Sequence, residues 1–326
     1  MNKKTILVTG GLGLIGHNVV ARLEKLGHTV VVVDNKTNYG IVPQSELDYL
    51  MKERTKKIKT PFIYRFDICE HRNIEWIFAS HKFDMVIHLA SFPRQKVVNV
   101  NPISGSRVMS EGLINLCEFS KRFNVKKFVY ISSSMVYGDF TDDVKEDYNC
   151  KPQGQYGILK LAGEMLVKDY SRRGVFDHVI IRPSAVYGPY DVEDRVISKF
   201  MLTAMRGETL KVNGINETLD FTYVDDAADG IVSASLSEDT NNKTYNITKS
   251  HSRSLLDAAK LAVQIVGKGD IEVRDKDVDF PSRGALNIDA ARNDFGYNPK
   301  VDVEEGFQRY YEWLSNSEYW QNKLSE

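Results

Sequence analysis

Apolar and polar positions along the chain follow two alternating rhythms. Short unbroken apolar runs, "TILVT", "TVVVVD", "PFIYRFD", "DMVIHLA", "KFVYISS" and "HVIIRPS", recur through residues 1–184. Between them apolar residues return at helical spacing, as at Val19, Leu23 and Leu26. Runs that are short, β-branched and uninterrupted are what a parallel sheet covered on both faces requires. Six of them, interleaved with amphipathic stretches, predict a doubly wound α/β sheet.

Beyond residue 185 the rhythm changes. "GPYDVED" and "VNGINET" are rich in turn formers, and amphipathic helical patterns return at "SLLDAAKLAVQIV" and "EEGFQRYYEWL". Residues 185–326 are therefore expected to form a smaller mixed α/β lobe capping the C-terminal edge of the sheet, where open α/β folds bind their ligands. No Pro- or Ser-rich linker interrupts the chain near 184/185, so the two parts should fold as one unit with a cleft between them. Internal repeats and low-complexity segments are absent from the sequence.

Composition narrows the function classes. A chain of 326 residues, 42% hydrophobic, can bury a full core. A formal net charge of -1 with interspersed signs supplies no bulk field for nucleic acid or a membrane surface. No apolar run is long enough to cross a bilayer, and "MNKKTILVTGG" leads straight into a strand pattern rather than a signal layout. Cys69, Cys117 and Cys150 are scattered and odd in number, which fits reduced thiols in a cytoplasm better than a disulfide or metal framework.

The first strand runs into "TGGLGLIG", with Gly10, Gly13 and Gly16 spaced three apart before a helix. Such a turn lets backbone N–H groups approach a pyrophosphate at a helix N-terminus, where the dipole favours negative charge. Asp34 ends the second strand about 20 residues on, where a carboxylate accepts both ribose hydroxyls and repels a 2′-phosphate, so NAD is expected over NADP. Asp67, after the third strand, either accepts from the adenine amino group or caps the helix that follows it. Ala90 and Ser91 are small and leave room at the end of the fourth strand, and Leu14, Ile15, Asn35, Ile68, Leu89 and Pro183 complete the expected cofactor wall.

Tyr156 and Lys160 stand four apart on a predicted helix and so share a face. A phenol with its ordinary pKa of about 10 is a poor base at neutral pH. A nearby ammonium and a positive nicotinamide ring would favour the phenolate. Ser133, at the end of the fifth strand, can hydrogen-bond the same substrate hydroxyl. The three make a device for removing a proton from an alcohol while its carbon gives up a hydride.

"TGGLGLIG", "HLAS", "SSSMVYG", "YGILK", "RPSAVYGP" and "DFTYVDD" stand in the order found in the extended short-chain dehydrogenase/reductases, and the sequence resembles that family over nearly its whole length. The resemblance implies a Rossmann-type domain holding NAD, a C-terminal lobe gripping a nucleoside-diphosphate sugar, and oxidation at sugar carbon 4. It also implies a homodimer formed by two helices per subunit, here roughly 103–122 and 156–172. In the family's sugar 4,6-dehydratases the residue matching Ser133 is followed by an Asp and a Glu that serve water elimination. Here Ser134 and Met135 follow, and a thioether exchanges no proton.

Two substrate positions depart as well: Ala185 replaces a common Asn, and Leu219 replaces the phosphate-binding Arg of the galactose epimerases. A diphosphate still needs cationic donors. Arg195, Arg253 and Arg283 are the candidates, with Arg195 and Arg283 preferred because they match the family's substrate-lobe positions; Val196, Ser133, Ser134 and Ala185 stand beside the substrate, and Arg94 or Lys96 reaches the sugar. The stretch "RPSAVYGPYDVEDRV" is similar to that of bacterial enzymes acting on GDP-linked manno-configured sugars. A dehydrogenase that releases the 4-keto sugar is the first expectation and a 4-epimerase the second. A non-catalytic NAD-binding regulator on the same fold is disfavoured by the intact Ser133, Tyr156 and Lys160 set.

Overall fold

The computed structural model describes residues 2–325. Its strands are β1 (Thr5–Thr9), β2 (Thr29–Val33), β3 (Ile63–Tyr64), β4 (Met85–His88), β5 (Lys127–Ile131), β6 (Asp177–Pro183), β7 (Val186–Tyr187), β8 (Thr209–Asn213), β9 (Thr218–Asp220), β10 (Thr222–Tyr223), β11 (Lys243–Ile247), β12 (Ser252–Ser254) and β13 (Asp270–Arg274). Seven of them form one parallel sheet in the order β3-β2-β1-β4-β5-β6-β11. Strand order reverses between β1 and β4, so the crevice beyond their carboxyl ends is where ligand is expected. Thr9 pairs with both Val33 and His88, which brings Gly10, Asp34 and Leu89 out of the sheet at one level.

Alternation along each strand explains why the apolar runs are unbroken. Ile6, Val8, Val30 and Val32 pack to one side, on Val19 and Leu23 of the helix Leu14–Lys25 and on Ile231 of the helix Val224–Leu236. Leu7, Val31 and Val33 pack to the other, on Ile74 and Ile77 of His71–Ser80 and on Leu113 and Leu116 of Leu113–Arg122.

The sequence pattern and the structure differ in three places that matter. The third strand is only two residues long, so Asp67 lies in a turn beyond it. A seventh strand, β11, extends the sheet beside β6, although "KTYNI" is too short and too mixed to stand out as a pattern. Consequently residues after 185 do not all belong to the lobe: Ala228, Ile231, Tyr245, Ile247 and Tyr297 sit in the sheet's own core. Arg22 ties the first helix to Val224–Leu236 through Asp225 at 2.8 Å and Asp229 at 2.5 Å.

The lobe has a separate core in which Phe200, Met201, Leu210, Ala258, Phe307, Leu314 and Trp320 meet. Helices with no counterpart in the sequence pattern include Gln44–Lys56, which fills the connection from β2 to β3, and Glu318–Ser325, the last described helix. Among the described residues no helix is long and apolar enough to cross a membrane.

Candidate active site

A cleft of about 990 Å³ opens at the carboxyl ends of the sheet strands, between the sheet and the lobe. On the sheet side its floor is the glycine turn. Gly10 takes a left-handed conformation (φ 69°), and a Cβ there would come within 2.7 Å of the Ala90 backbone. A Cβ on Gly16 would lie 2.1 Å from the Gly10 carbonyl oxygen, so only glycine lets the helix start this close to the turn. No side chain caps the helix Leu14–Lys25, whose first-turn N–H groups are left for an anion in the cleft.

Asp34 stands beside this turn. Its two oxygens accept from the N–H groups of Leu12 at 2.9 Å and Lys36 at 2.8 Å. Each keeps a lone pair for a ribose hydroxyl. Burial pushes the Asp34 carboxyl up, and those backbone donors oppose the shift. The residues present therefore fit a dinucleotide. Leu14, Ile15 and Asn35 line the same half of the cleft, as do Ile68, Leu89, Ala90, Ser91 and Pro183.

Asp67 does not line it. Its carboxylate accepts from the Cys69 N–H at 2.8 Å and from Asn35 Nδ2 at 3.3 Å. The turn is thus closed locally and the side chain does not cap the next helix, while each oxygen keeps a lone pair for a further donor. The helix begins four residues later, at His71.

Ser133, Tyr156 and Lys160 converge at the centre of the cleft. Ser133 leaves β5 in extended conformation, and its Oγ accepts from the Met135 N–H at 3.2 Å. That fixes the oxygen and leaves its proton to be donated. Tyr156 and Lys160 rise from the buried face of the helix Gly154–Arg172. A Cβ on Gly157 would lie 2.7 Å from the Met135 carbonyl oxygen, so this helix packs hard against the serine turn.

The electrostatics differ from the expectation that Lys160 would depress the phenol. Burial pushes Tyr156 above its ordinary range; the Ser133 hydroxyl and the charges of Arg195 and Arg283 pull the other way. Lys160 instead donates to the Ile131 carbonyl at 2.8 Å, with Nζ 5.8 Å from the Tyr156 ring centre. Burial lowers its ammonium to about 7, opposed by Glu164.

Behind these residues lies a buried group that sequence reading missed. Glu164 holds Arg182 through two bonds of 2.9 and 2.7 Å and accepts from the Ser132 hydroxyl at 2.6 Å. Arg182 in turn donates to the Tyr137 hydroxyl and the Glu146 carbonyl. The available signal was spacing: Tyr156, Lys160 and Glu164 recur every four residues on one helix face.

On the lobe side, Arg94, Lys96, Ser134, Ala185, Arg195, Val196, Leu219 and Arg283 all line the cleft. Arg94 and Lys96 are already engaged by Asp194, which also binds Lys199. Arg195 lies 3.8 Å from Asp191 at the uncapped start of the helix Val196–Arg206. Burial brings Arg283 down to about 10, opposed by Glu217, and its Nε has no protein partner. Arg253 is a correction. It sits opposite Leu219 in the β9–β12 pair, but its side chain turns to Glu304 at 2.5 Å and does not line the cleft.

The model of the NAD dependent epimerase/dehydratase family matches residues 6–248. The chain is 29% identical over 323 residues to the UDP-glucuronate 4-epimerase of Thermodesulfobacterium geofontis, covering 94% of this chain and 95% of that one. It is 27% identical over 333 residues to the dTDP-D-glucose 4,6-dehydratase of Bos taurus, covering 98% and 91%. Its fold superposes with a TM-score of 0.86 on the crystal structure of UDP-glucuronic acid 4-epimerase from Bacillus cereus in complex with UDP-glucuronic acid and NAD. That match has 25% identity and covers 95% of this chain and 99% of the other.

Proposed function

We propose, for a chain that belongs to the NAD dependent epimerase/dehydratase family, that it oxidises carbon 4 of a nucleoside-diphosphate sugar and eliminates no water. NAD is the cofactor, and when bound it supplies the hydride acceptor. Gly10, Gly13 and Gly16 would hold its pyrophosphate and Asp34 a ribose. Tyr156 would take the proton of the carbon 4 hydroxyl as base. Ser133, its oxygen fixed by the Met135 N–H, would donate to the same substrate oxygen. Lys160 would bond a cofactor ribose, while Ser133, Arg195 and Arg283 favour the phenolate of Tyr156. Arg195, the helix start at Val196 and the guanidinium of Arg283 would supply the positive donors a diphosphate requires.

The observation that carries the reading is the pair after Ser133. Ser134 gives its hydroxyl to Ser184 at 3.2 Å, and Met135 is buried with Phe92, Val97, Met109 and Tyr156. Eliminating water across carbons 5 and 6 needs a base for one proton and an acid for the leaving hydroxyl. A hydroxyl and a thioether supply neither near neutral pH.

The narrower form is a 4-dehydrogenase of a GDP-linked manno-configured sugar or heptose of bacterial surface polysaccharide, such as GDP-D-glycero-α-D-manno-heptose, releasing the 4-keto product. Similarity in "RPSAVYGPYDVEDRV" supports it. A 4-epimerase is the second reading, favoured by the likeness to UDP-glucuronate 4-epimerases. The working form is proposed to be a homodimer through the two helical stretches 103–122 and 156–172, which expose Ile103, Ile114, Ile158 and Met165.

The test is to incubate the enzyme with GDP- and UDP-sugars, with and without a ketoacid oxidant, and to weigh the products. Loss of two hydrogens supports the dehydrogenase. Unchanged mass with inverted carbon 4 supports the epimerase. Loss of one water refutes the reading of Met135.

A further inference from the structure

The turn after β7 is held from several sides by residues with no part in the catalytic corner. Tyr190 adopts a left-handed conformation (φ 71°), which a bulky residue keeps only where its surroundings over-determine it. Its carbonyl accepts from Arg54 Nε at 3.1 Å and Nη2 at 2.6 Å. The third arm of that buried guanidinium, Nη1, donates to the Leu12 carbonyl in the glycine turn at 3.1 Å. The Tyr190 ring meets His17 edge-on at 5.7 Å and Trp313 at 5.0 Å.

Three residues further the turn is gripped again. The Glu193 N–H donates to Glu46 Oε1 at 2.7 Å. The Glu193 carboxylate and the fully buried Glu46 share one ammonium, that of Lys323, at 2.6 and 2.9 Å. The helix Glu318–Ser325, which bears Lys323, is seated on Gln44–Lys56. Tyr319 stacks on Tyr49 with centroids 4.4 Å apart, the Tyr49 hydroxyl bonds Ser317, and Trp320 has no exposed surface.

Neither Lys323 nor Glu46 lines the cleft, yet the turn they hold at Glu193 carries Asp191, Asp194 and Arg195, which do. Asp194 alone holds Arg94, Lys96 and Lys199. We propose that Lys323 and Glu46 form a latch that sets the 189–195 turn against the cofactor-side helix and so positions the charged wall on which the nucleotide sugar rests. Lys323 is a positioning residue. The turn is a substrate wall only under the reading of the preceding section, whereas its fixation by Lys323 is independent of any substrate.

Amide hydrogen exchange of the full chain with saturating NAD tests the latch. In Lys323→Met, amides of residues 190–195 should exchange about 10-fold faster or more, while those of β5 and β6 keep wild-type rates. Lys323→Arg should restore protection to within about twofold. Lys323→Met leaves Glu46 buried without its cation, so the double variant Glu46→Gln, Lys323→Met, which strands no charge, is the deciding form. It too should show a fast turn on an intact sheet. Wild-type protection of the turn in the double variant would overturn the latch, as would equal acceleration of turn and sheet. On a nucleotide sugar that the wild type converts, KM should rise about 10-fold with kcat within about twofold; a fall in kcat at constant KM would overturn the positioning role. A cleft that converts no nucleotide sugar would refute the functional reading and leave the exchange result standing.

Discussion

The two walls of the cleft are made from different materials. The sheet wall is mostly backbone: a glycine turn, uncapped helix N–H groups, and one carboxylate that accepts from two backbone donors. The lobe wall is mostly long charged side chains in shared ion pairs, with Asp194 serving three cations at once. Backbone geometry follows from a few obligatory residues at fixed spacing. Which arginine meets which acid depends on side chains that arrive from distant parts of the chain. A wall of the first kind binds a ligand common to a whole family. A wall of the second kind can be rearranged for a new sugar without disturbing the first.

The largest effect should come where the walls meet. If Tyr156 is the base, Tyr156→Phe lowers turnover about 10²–10⁴-fold while NAD affinity stays near wild type. Steady-state rates and calorimetry on one preparation check both halves. Retained turnover would sever the catalytic corner from the comparison.

Next in size is the sheet wall's hidden support. Glu164→Gln leaves Arg182 buried with its partner's charge gone, and breaking a buried pair costs about 3–5 kcal/mol. An unfolding free energy from denaturant titration that fell by less than about 1 kcal/mol would show that the pair contributes little to the sheet wall's stability.

Lys160 adds a pH signature to the same support. Burial lowers its pKa from the ordinary 10.5 to about 7. Between those values the unfolded chain carries a proton that the folded chain has released. This group therefore makes stability rise with pH across that window, and its burden is greatest below about pH 7. Melting of the NAD-free protein against pH should show that slope, and Lys160→Met should flatten it.

These supports also mark how far the sequence could be read. Gly10, Asp34, Ser133 and Tyr156 were legible because each satisfies a local demand: a left-handed turn, a strand end, a helix face. Glu164 follows Lys160 at the same spacing but needed Arg182, eighteen positions on and on another strand, to show its purpose. The strand β11 was missed because its place is fixed by pairing with β6 and not by its own pattern. The helix Gln44–Lys56 has few apolar residues, and its buried face includes Glu46 and Arg54, so no apolar stripe announced it. Asp67 had the right position to cap the next helix and does not, because Cys69 and Asn35 reach it first.

Asp34 tests the backbone-built wall at moderate scale. Lys36, Lys52, Lys56 and Arg65 ring a hollow close to the ribose end, so positive charge is at hand if the carboxylate is removed. Asp34→Ala should cut the NAD over NADP preference on the order of tenfold, the worth of about one charge-assisted hydrogen bond. Equal wild-type affinity for the two dinucleotides by calorimetry would contradict the role given to Asp34.

The smallest expected effect separates two arginines that the sequence offered for the same task. Arg253 and Arg283 were both candidates for a diphosphate, with Arg283 preferred for its match to the family's substrate lobe. Arg253 pairs with Glu304 across a half-exposed surface, where such a bridge is worth about 0–1 kcal/mol. The Nε of each arginine is buried without a protein partner, but only Arg283 lines the cleft. Arg253→Ala should therefore leave KM for the nucleotide sugar within about twofold of wild type, whereas Arg283→Ala, removing a charge-assisted donor, should raise it about tenfold or more. A large KM effect from Arg253→Ala would mean that its pairing with Glu304 breaks on binding and that the lobe wall rearranges around its ligand. The contrast between a fixed sheet wall and an adaptable lobe wall would then be sharper than the ion pairs alone suggest.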